Sequence, residues 1–577
     1  MNLDIEISRD GYKVLKVNRN DKKIYFGSKY NQKREIEKFL SSIEETTSKD
    51  TFIIFGLSFG EHIQELLKAI NESNKILIIE FNEELIEYCK NDEVISKIIE
   101  NERLTITSKK ADVKNFILKN INEFNSERLQ VKEYCNYGKI YKKEWRDAFI
   151  IIRNLVISKK INRNTYKYLG KKFFDNSISN LKYIGESTPV NSLKNVYENK
   201  PVIIVSAGPS LIKNINELKG VDNAVILTGG RNLGALLERD ITPTCLGVID
   251  PVENTYKLVE NFIGKINCPL LFNESSNPDV VKEHQAEKFF YSDCDLIEKA
   301  FKQKITNLFA GGSVAHTLTN LAIYMGCNPI IFIGQDLAYT DERKYSIGCV
   351  DKDGNPNPDG NEDENNIYVK GIDGKLVRTS LLFNDFRVAL ENLIEHNKNI
   401  KFINATEGGA NIEGTENRRL RDVLKELKEE KIIPMKKFFN NVNKTDDIIN
   451  QLELTLIQIK DYVEICKTAQ ITLKDYEISY RSNNQREVDK NIEKLNVLDR
   501  KIIEKNHEIT LLTTVLMEVV VYIEHDDKFI VNYSDSKITA FNKELNRSNA
   551  LYSEIRRILE ICYEEIEEKI SEMKGEN

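Results

Sequence analysis

At 577 residues the chain exceeds the roughly 250 to 300 residues at which a single hydrophobic core stops growing, so two to four domains are expected. Its 41% hydrophobic content includes no run near the roughly 18 to 20 apolar residues of a membrane span. A net charge of −7, from 83 basic and 90 acidic side chains, offers no general basic face to nucleic acid.

The first residues, Met1-Asn2-Leu3-Asp4-Ile5-Glu6, lack the basic and apolar regions of a secretory signal, so a cytoplasmic protein is expected. Lys13–Asn18 and Lys23–Phe26 read as a hairpin. Phe52–Phe55, a glycine-containing turn, a helix and Lys75–Glu80 then form an α/β unit. The turn, Gly56-Leu-Ser58-Phe-Gly60, matches a nucleophile elbow, but His62 directly after it is badly placed for a triad. It reads better as a degenerate Rossmann turn, because Glu80 ends the next strand 20 residues after Gly60, where a ribose-binding acid is placed. Whether that turn keeps a nucleotide or is only structural stays open at this point.

From about residue 186 to 414 short apolar strands alternate with helical stretches, at Pro201–Val205, Ala224–Leu227, Thr244–Ile249, Leu270–Phe272, Phe289–Tyr291, Pro329–Ile333 and Lys401–Ile403. Buried strands separated by helices imply a largely parallel, doubly wound sheet covered on both faces. From about Thr415 the composition turns to Leu, Ile, Lys and Glu, no glycine intervenes between Gly414 and Gly575, and Ile448, Leu452, Leu456 and Ile459 repeat at helical spacing. An all-α C-terminal region follows, with turns at Arg481–Asn484 and Asn532–Ser536. The nine cysteines, with no C-x-x-C pair, read as free buried thiols rather than a disulfide framework or zinc knuckle. The expected domains are 1–185, 186–414 and 415–577.

The strongest local signal is the strand Pro201–Val205 running through Ser206-Ala-Gly208-Pro209-Ser210-Leu211 into a helical stretch, Ile212–Lys219. Such a turn points backbone N–H groups and a helix N-terminus at whatever lies above the strand, which suits a phosphate. Gly208 permits close approach, Pro209 suits a first helical position and Ser210 adds a hydroxyl. An ordinary β–α turn, capped by the same residues, is the alternative. A second glycine-rich helix start, Gly311-Gly312-Ser313, precedes the strand Pro329–Ile333, whose end carries Gly334-Gln335-Asp336 and Tyr339. Asp336 could bind ribose, orient a neighbour or act as a base, or simply cap its loop. Tyr339 could meet a phosphate or a ring, and Asn232 and Asp250 follow other strands into the same crevice.

Five motifs in order, Ser206–Leu211, Val248-Ile-Asp250-Pro251, Gly311–Ala315, Gly334–Ala338 and Asn404-Ala-Thr-Glu-Gly-Gly-Ala410, resemble the central domain of the motility accessory factor (Maf) family of flagellin glycosyltransferases. That family is similar in its core to bacterial sialyltransferases. The resemblance implies a Rossmann-like N-terminal domain, a sialyltransferase-like central domain, and a helical C-terminal domain that docks flagellin or only packs on the centre. It also implies transfer of a pseudaminic or legionaminic type of nonulosonic acid from its CMP-activated donor to Ser or Thr of flagellin. No cofactor is expected beyond that donor and no metal ligands are assigned, because helix N-termini can stabilise the departing phosphate without a metal. Gly208, Pro209, Ser210, Asn232, Asp250, Gly312, Ser313, Gln335 and Tyr339 would hold the donor. The related sialyltransferases place a histidine base after the Gly-Ile-Asp strand, but no histidine lies between Asp336 and Glu395. Asp336 and Glu407 are therefore the candidate catalytic groups. His316, in the second helix start, is the less favoured alternative. Two other functions remain, a pterin pyrophosphokinase-like enzyme and a non-catalytic flagellin chaperone or scaffold. Asp351–Glu362 nearly follows the spacing of a calcium-binding loop, but Pro356 replaces the glycine that turn needs, so a mobile acidic loop is expected.

Overall fold

The computed structural model describes residues 3–19, 22–346, 366–440 and 442–575; the acidic loop Asp351–Glu362 lies outside them. The described residues form two compact units. One consists of residues 1–170, 465–500 and 516–557, the other of 171–464, 501–515 and 558–577.

In the first unit, β1 (Asp4–Ile7), β2 (Lys13–Arg19) and β3 (Lys22–Tyr25) make an antiparallel sheet. β4 (Thr51–Phe55), β5 (Lys75–Ile79), β6 (Leu104–Thr107) and β7 (Leu129–Glu133) make a parallel one in the order β6-β5-β4-β7. Every residue of β4 is buried. Side chains alternate along a strand, so Phe52, Ile54, Ile76 and Ile78 enter one core while Ile53, Phe55, Leu77 and Ile79 enter another. A sheet with two apolar faces needs cover on both, and apolar helix positions such as Ile63 and Leu66 on one side and Val113 and Ile117 on the other supply it.

The second unit is built on β8 (Thr188–Pro189), β9 (Val202–Val205), β10 (Val225–Gly229), β11 (Cys245–Gly247), β12 (Leu270–Asn273), β13 (Lys288–Tyr291) and β14 (Ile330–Ile333). A hairpin of β15 (Asn366–Lys370) and β16 (Leu376–Ser380) follows, then β17 (Phe402–Asn404) and β18 (Glu416–Asn417). Nine strands form one sheet in the order β18-β17-β14-β9-β10-β11-β12-β13-β8, with every paired neighbour parallel. Alternation again divides the strands between two cores, with Val202, Ile204, Val225, Leu227 and Phe332 on one face and Ile203, Val205, Ile226, Ile331 and Ile333 on the other. This is the doubly wound parallel sheet expected from the apolar runs. The seven strands read from sequence in this region all form; β8, β18 and the β15–β16 hairpin were not read.

β10 to β13 lie in sequence order on one side of β9, whereas β14 pairs on its other side. The order of the sheet thus reverses at β9 and β14, and a crevice opens beyond their carboxyl ends. Helix Val314–Tyr324 crosses close to the sheet because β10 and β11 end in glycine. A Cβ on Gly229 would lie 2.7 Å from Val314 Cγ1, and one on Gly247 2.9 Å from Leu318 Cδ2.

The C-terminal region is helical, at Thr445–Arg481, Gln485–Glu508, Thr513–Glu524 and Lys537–Lys574, with the expected turns between them. Asn483 makes the first turn at φ 52°. Its segments do not gather into one body, because 465–500 and 516–557 pack with the first unit and the rest with the second. Among the described residues no single helix is long and apolar enough to cross a membrane. The eight described cysteines carry free thiols, seven of them buried.

Candidate functional site

The crevice beyond β9 and β14 is a cleft of about 240 Å³. Its walls come from four of the five ordered motifs, represented by Ser206–Gly208, Val248–Asp250, Gly312–Ala315 and Gly334–Ala338. Of the residues read as donor-binding, Gly208, Asn232, Asp250, Gly312, Ser313 and Gln335 line it, as does Asp336. Pro209, Ser210, Tyr339 and Glu407 do not.

The turn after β9 differs from the α-helix start expected of it. Pro209–Lys213 and Ile215–Leu218 are short 3₁₀ turns, too brief to sum a large dipole. Their backbone donors are also engaged. Gly208 N–H donates to the Gly334 carbonyl (2.7 Å), Leu211 N–H to the Gly208 carbonyl (3.0 Å) and Ser210 N–H to Asp336 Oδ1 (3.1 Å). The Ser210 hydroxyl donates to Asp336 Oδ2 (2.7 Å). The turn is thus bound to the end of β14, and a Cβ on Gly208 would sit 2.1 Å from Asp336 Oδ2. Asp336 is 1% exposed, and loss of solvent raises its pKa, with the Ser210 bonds opposing the rise. Its carbonyl accepts from Ala410 N–H (2.7 Å), which ties the Asn404–Ala410 loop to the same corner. Glu407 takes part through its backbone carbonyl, which accepts from Lys213 Nζ (3.1 Å).

The second helix start keeps the form expected. Gly311 and Gly312 adopt φ of 48° and 78°, and Ser313 caps the helix by accepting from Ala315 N–H (3.4 Å). This helix of 11 residues directs its N-terminus at the cleft. His316 is fully buried, its Nε2–H donating to the Phe386 carbonyl (2.9 Å), and burial lowers its pKa. It fixes the wall bearing Phe386 and does not line the cleft. Asn232 Nδ2 donates to the Val205 carbonyl (2.7 Å), joining the ends of β9 and β10. Gln335 accepts from the Ser206 hydroxyl, and its N–H donates to Thr406 Oγ1 (3.1 Å). Tyr339 packs behind the wall, its ring 5.7 Å from that of Phe383 and 4.4 Å from the Arg378 guanidinium.

Sequence reasoning missed the cations and aromatics. Arg231 and Lys344 line the cleft with Tyr345, Phe383 and Phe386. The Arg231 guanidinium lies 4.2 Å from the Tyr345 ring centroid. Arg231 follows Gly229-Gly230 at the end of β10, a second glycine-bearing strand end that could have marked it. Lys344, Tyr345, Phe383 and Phe386 carry no local signal. The cleft therefore pairs positive charge with ring surfaces, the requirements of a phosphorylated ligand that carries a base or a sugar.

The N-terminal Rossmann-like turn is filled by its own chain. Glu80 is fully buried and accepts from Leu57 N–H (3.1 Å), Asn82 N–H (2.9 Å) and the Tyr137 hydroxyl (2.7 Å). The Tyr137 ring occupies the space above the glycine, 2.5 Å from where a Gly56 Cβ would stand. Ser58, at φ 46°, is fully buried, and His62 Nε2–H donates to the Gly56 carbonyl (3.1 Å) rather than to it. Neither the ribose site nor the hydrolytic elbow is assembled.

Residues 175–342 match the family model described as 6-hydroxymethylpterin diphosphokinase MptE-like. No curated protein matches the chain in sequence. Among solved structures, the Maf glycosyltransferase from Magnetospirillum magneticum AMB-1 is similar at a TM-score of 0.59 and 15% identity, covering 100% of this chain and 96% of that one. The chain thus has the fold of the Maf glycosyltransferase over its whole length, with a segment similar to the MptE-like family supplying most of the cleft.

Proposed function

We propose that this chain is a cytoplasmic protein O-glycosyltransferase. It moves a nonulosonic acid, of pseudaminic or legionaminic type, from its CMP-activated donor to Ser or Thr of flagellin. One observation carries the reading. Four motifs far apart in sequence converge on one cleft at the carboxyl edge of a sheet whose fold is shared with a Maf glycosyltransferase. In this reading Arg231, Lys344 and the helix start at Gly312–Val314 neutralise the departing CMP phosphate. Phe383, Phe386 and Tyr345 pack on the rings. Asp336 acts from beneath, holding the Gly208–Ser210 turn in place. The donor is a substrate and no further cofactor is invoked; neither nucleic acid nor a membrane is a partner.

The test is intact-mass analysis of flagellin incubated with the purified chain and either CMP-pseudaminic or CMP-legionaminic acid. A discrete nonulosonic increment on flagellin supports the reading. Binding of flagellin without any increment would favour a scaffold. Formation of a pterin diphosphate from ATP and 6-hydroxymethylpterin would move the protein to the chemistry named by the family matched at residues 175–342.

A further inference from the structure

The transfer lacks an assigned proton acceptor. A nucleotide-activated sugar gains cationic character as its bond to phosphate breaks, and the attacking hydroxyl must lose its proton to a group within reach. The carboxylates near the cleft differ in their freedom to take it. Asp336 is buried with both oxygens hydrogen-bonded to Ser210. The Glu407 side chain is not part of the cleft wall. Asp250, at the carboxyl end of β11, lines the cleft and is exposed within it. Its carboxylate accepts no hydrogen bond among the described residues.

The perch beneath Asp250 is rigid. Its carbonyl accepts from Asn277 N–H (3.1 Å), the Pro251 carbonyl from Asn176 Nδ2 (2.9 Å) and the Val252 carbonyl from Asn277 Nδ2 (3.2 Å). Asn176 and Asn277 are both 1% exposed, and Pro251 restricts the backbone on either side of its peptide bond. Three hydrogen bonds from two buried asparagines thus hold a segment whose one charged side chain is left without a hydrogen bond among the described residues. Although solvent reaches Asp250 through the cleft mouth, the walls around it strip much of its hydration. This burial raises its pKa above the ordinary value and makes the carboxylate a better base; the Arg231 charge opposes the rise.

We propose that Asp250 is the catalytic base of the transfer, an inference that rests on the glycosyltransferase reading above. The acceptor hydroxyl oxygen forms its bond to the anomeric carbon while its proton passes to an Asp250 carboxylate oxygen. The bond from the anomeric carbon to the phosphate oxygen breaks, and its electron pair leaves with CMP beside Arg231 and Lys344. Asp250 then returns its proton to water.

The test compares wild type with Asp250→Asn and Asp250→Ala, using CMP-legionaminic and CMP-pseudaminic acid with flagellin. Transfer is read by intact mass and donor affinity by calorimetry. Asp250→Asn should lower turnover by roughly 100-fold or more while donor affinity stays within about threefold, the signature of a lost general base. Added formate should restore part of the turnover of Asp250→Ala and leave wild type unchanged. Turnover of Asp250→Asn within about tenfold of wild type overturns the assignment, as does a turnover loss explained by lost donor affinity. Absence of any transfer by the wild type instead removes the glycosyltransferase reading, and the base with it.

Discussion

Gly208 and Ser210 hold the corner of the cleft through contacts that no neighbouring residue in sequence announces. A methyl on Gly208 would meet Asp336 Oδ2 at 2.1 Å and the Gly334 carbonyl at 2.4 Å, so Gly208→Ala must push the turn off β14. Ser210→Ala removes a donor from a buried carboxylate, a change that costs about 1 to 3 kcal/mol. Chemical denaturation should show that loss for Ser210→Ala; a change below about 0.5 kcal/mol would mean the bond is not kept in solution. The Gly-Pro-Ser turn itself was legible, since each residue has a local reason to be there. Its partner was not, because Asp336 lies 126 residues away and the crossing of β9 and β14 brings them together. Glu274 illustrates the same limit. Burial first, and then the Asp293 carboxylate, push its pKa up from 4.5 to about 7. Between those values the folded protein holds a proton that the unfolded chain has released. The associated stability is complete below pH 4.5 and is lost as pH rises through 7. Glu274→Gln should therefore be more stable than wild type at pH 8, by about 3 kcal/mol, and close to equal at pH 4. Equal denaturation midpoints at both pH values would refute the shift.

Among elements, strands were the easiest to read. Runs such as Val202–Val205 and Ile330–Ile333 are apolar without alternation, and only a strand covered on both faces explains that. The stretch after Gly208 was misjudged for a physical reason. Ile212, Ile215 and Leu218 stand three apart, a spacing that fits an α-helix but is also the period of the 3₁₀ turns that form. The difference alters the electrostatics of the cleft. With the first turn's donors committed internally, the proposed phosphate site draws on Arg231, Lys344 and the helix beginning at Val314, which line the cleft. Arg231→Ala should weaken CMP-sugar binding by about 10- to 100-fold, as expected for loss of a charged contact. It should also flatten the dependence of affinity on salt, because side-chain charges at a solvent-connected cleft are screened. Calorimetry across a salt series checks both, and an unchanged affinity would place the phosphate elsewhere.

Among the described residues two parallel sheets have Rossmann-like character, and the larger one carries the open cleft. Tyr137 fills the turn of the N-terminal sheet and bonds the acid that would have received a ribose. The strand, glycine turn and acid were all legible there; the tyrosine that closes them comes 57 residues after Glu80, beyond any local pattern. Calorimetric titration with CMP-sugar should accordingly give one site per chain, and a stoichiometry of two would reopen the N-terminal turn as a nucleotide site. The helical nature of the C-terminal third was legible from its missing glycines, but its distribution between two units was not. Helix periodicity tells which face is apolar and not which core receives it.

That distribution bears on how the protein is made. Lys49 Nζ reaches Glu524 Oε2 at 2.6 Å, Thr47 bridges to Asn532, and the Tyr533 hydroxyl donates to the Lys68 carbonyl (2.8 Å). Lys49 and its partner are 475 residues apart. At the roughly 5 to 20 residues per second of translation, about 20 to 100 s pass between the synthesis of one and the other. The first 170 residues leave the ribosome early yet stand without the two later segments that complete their unit. Residues 1–170 are thus made well before the segments that finish their unit, whose maturation is timed by the arrival of residue 557.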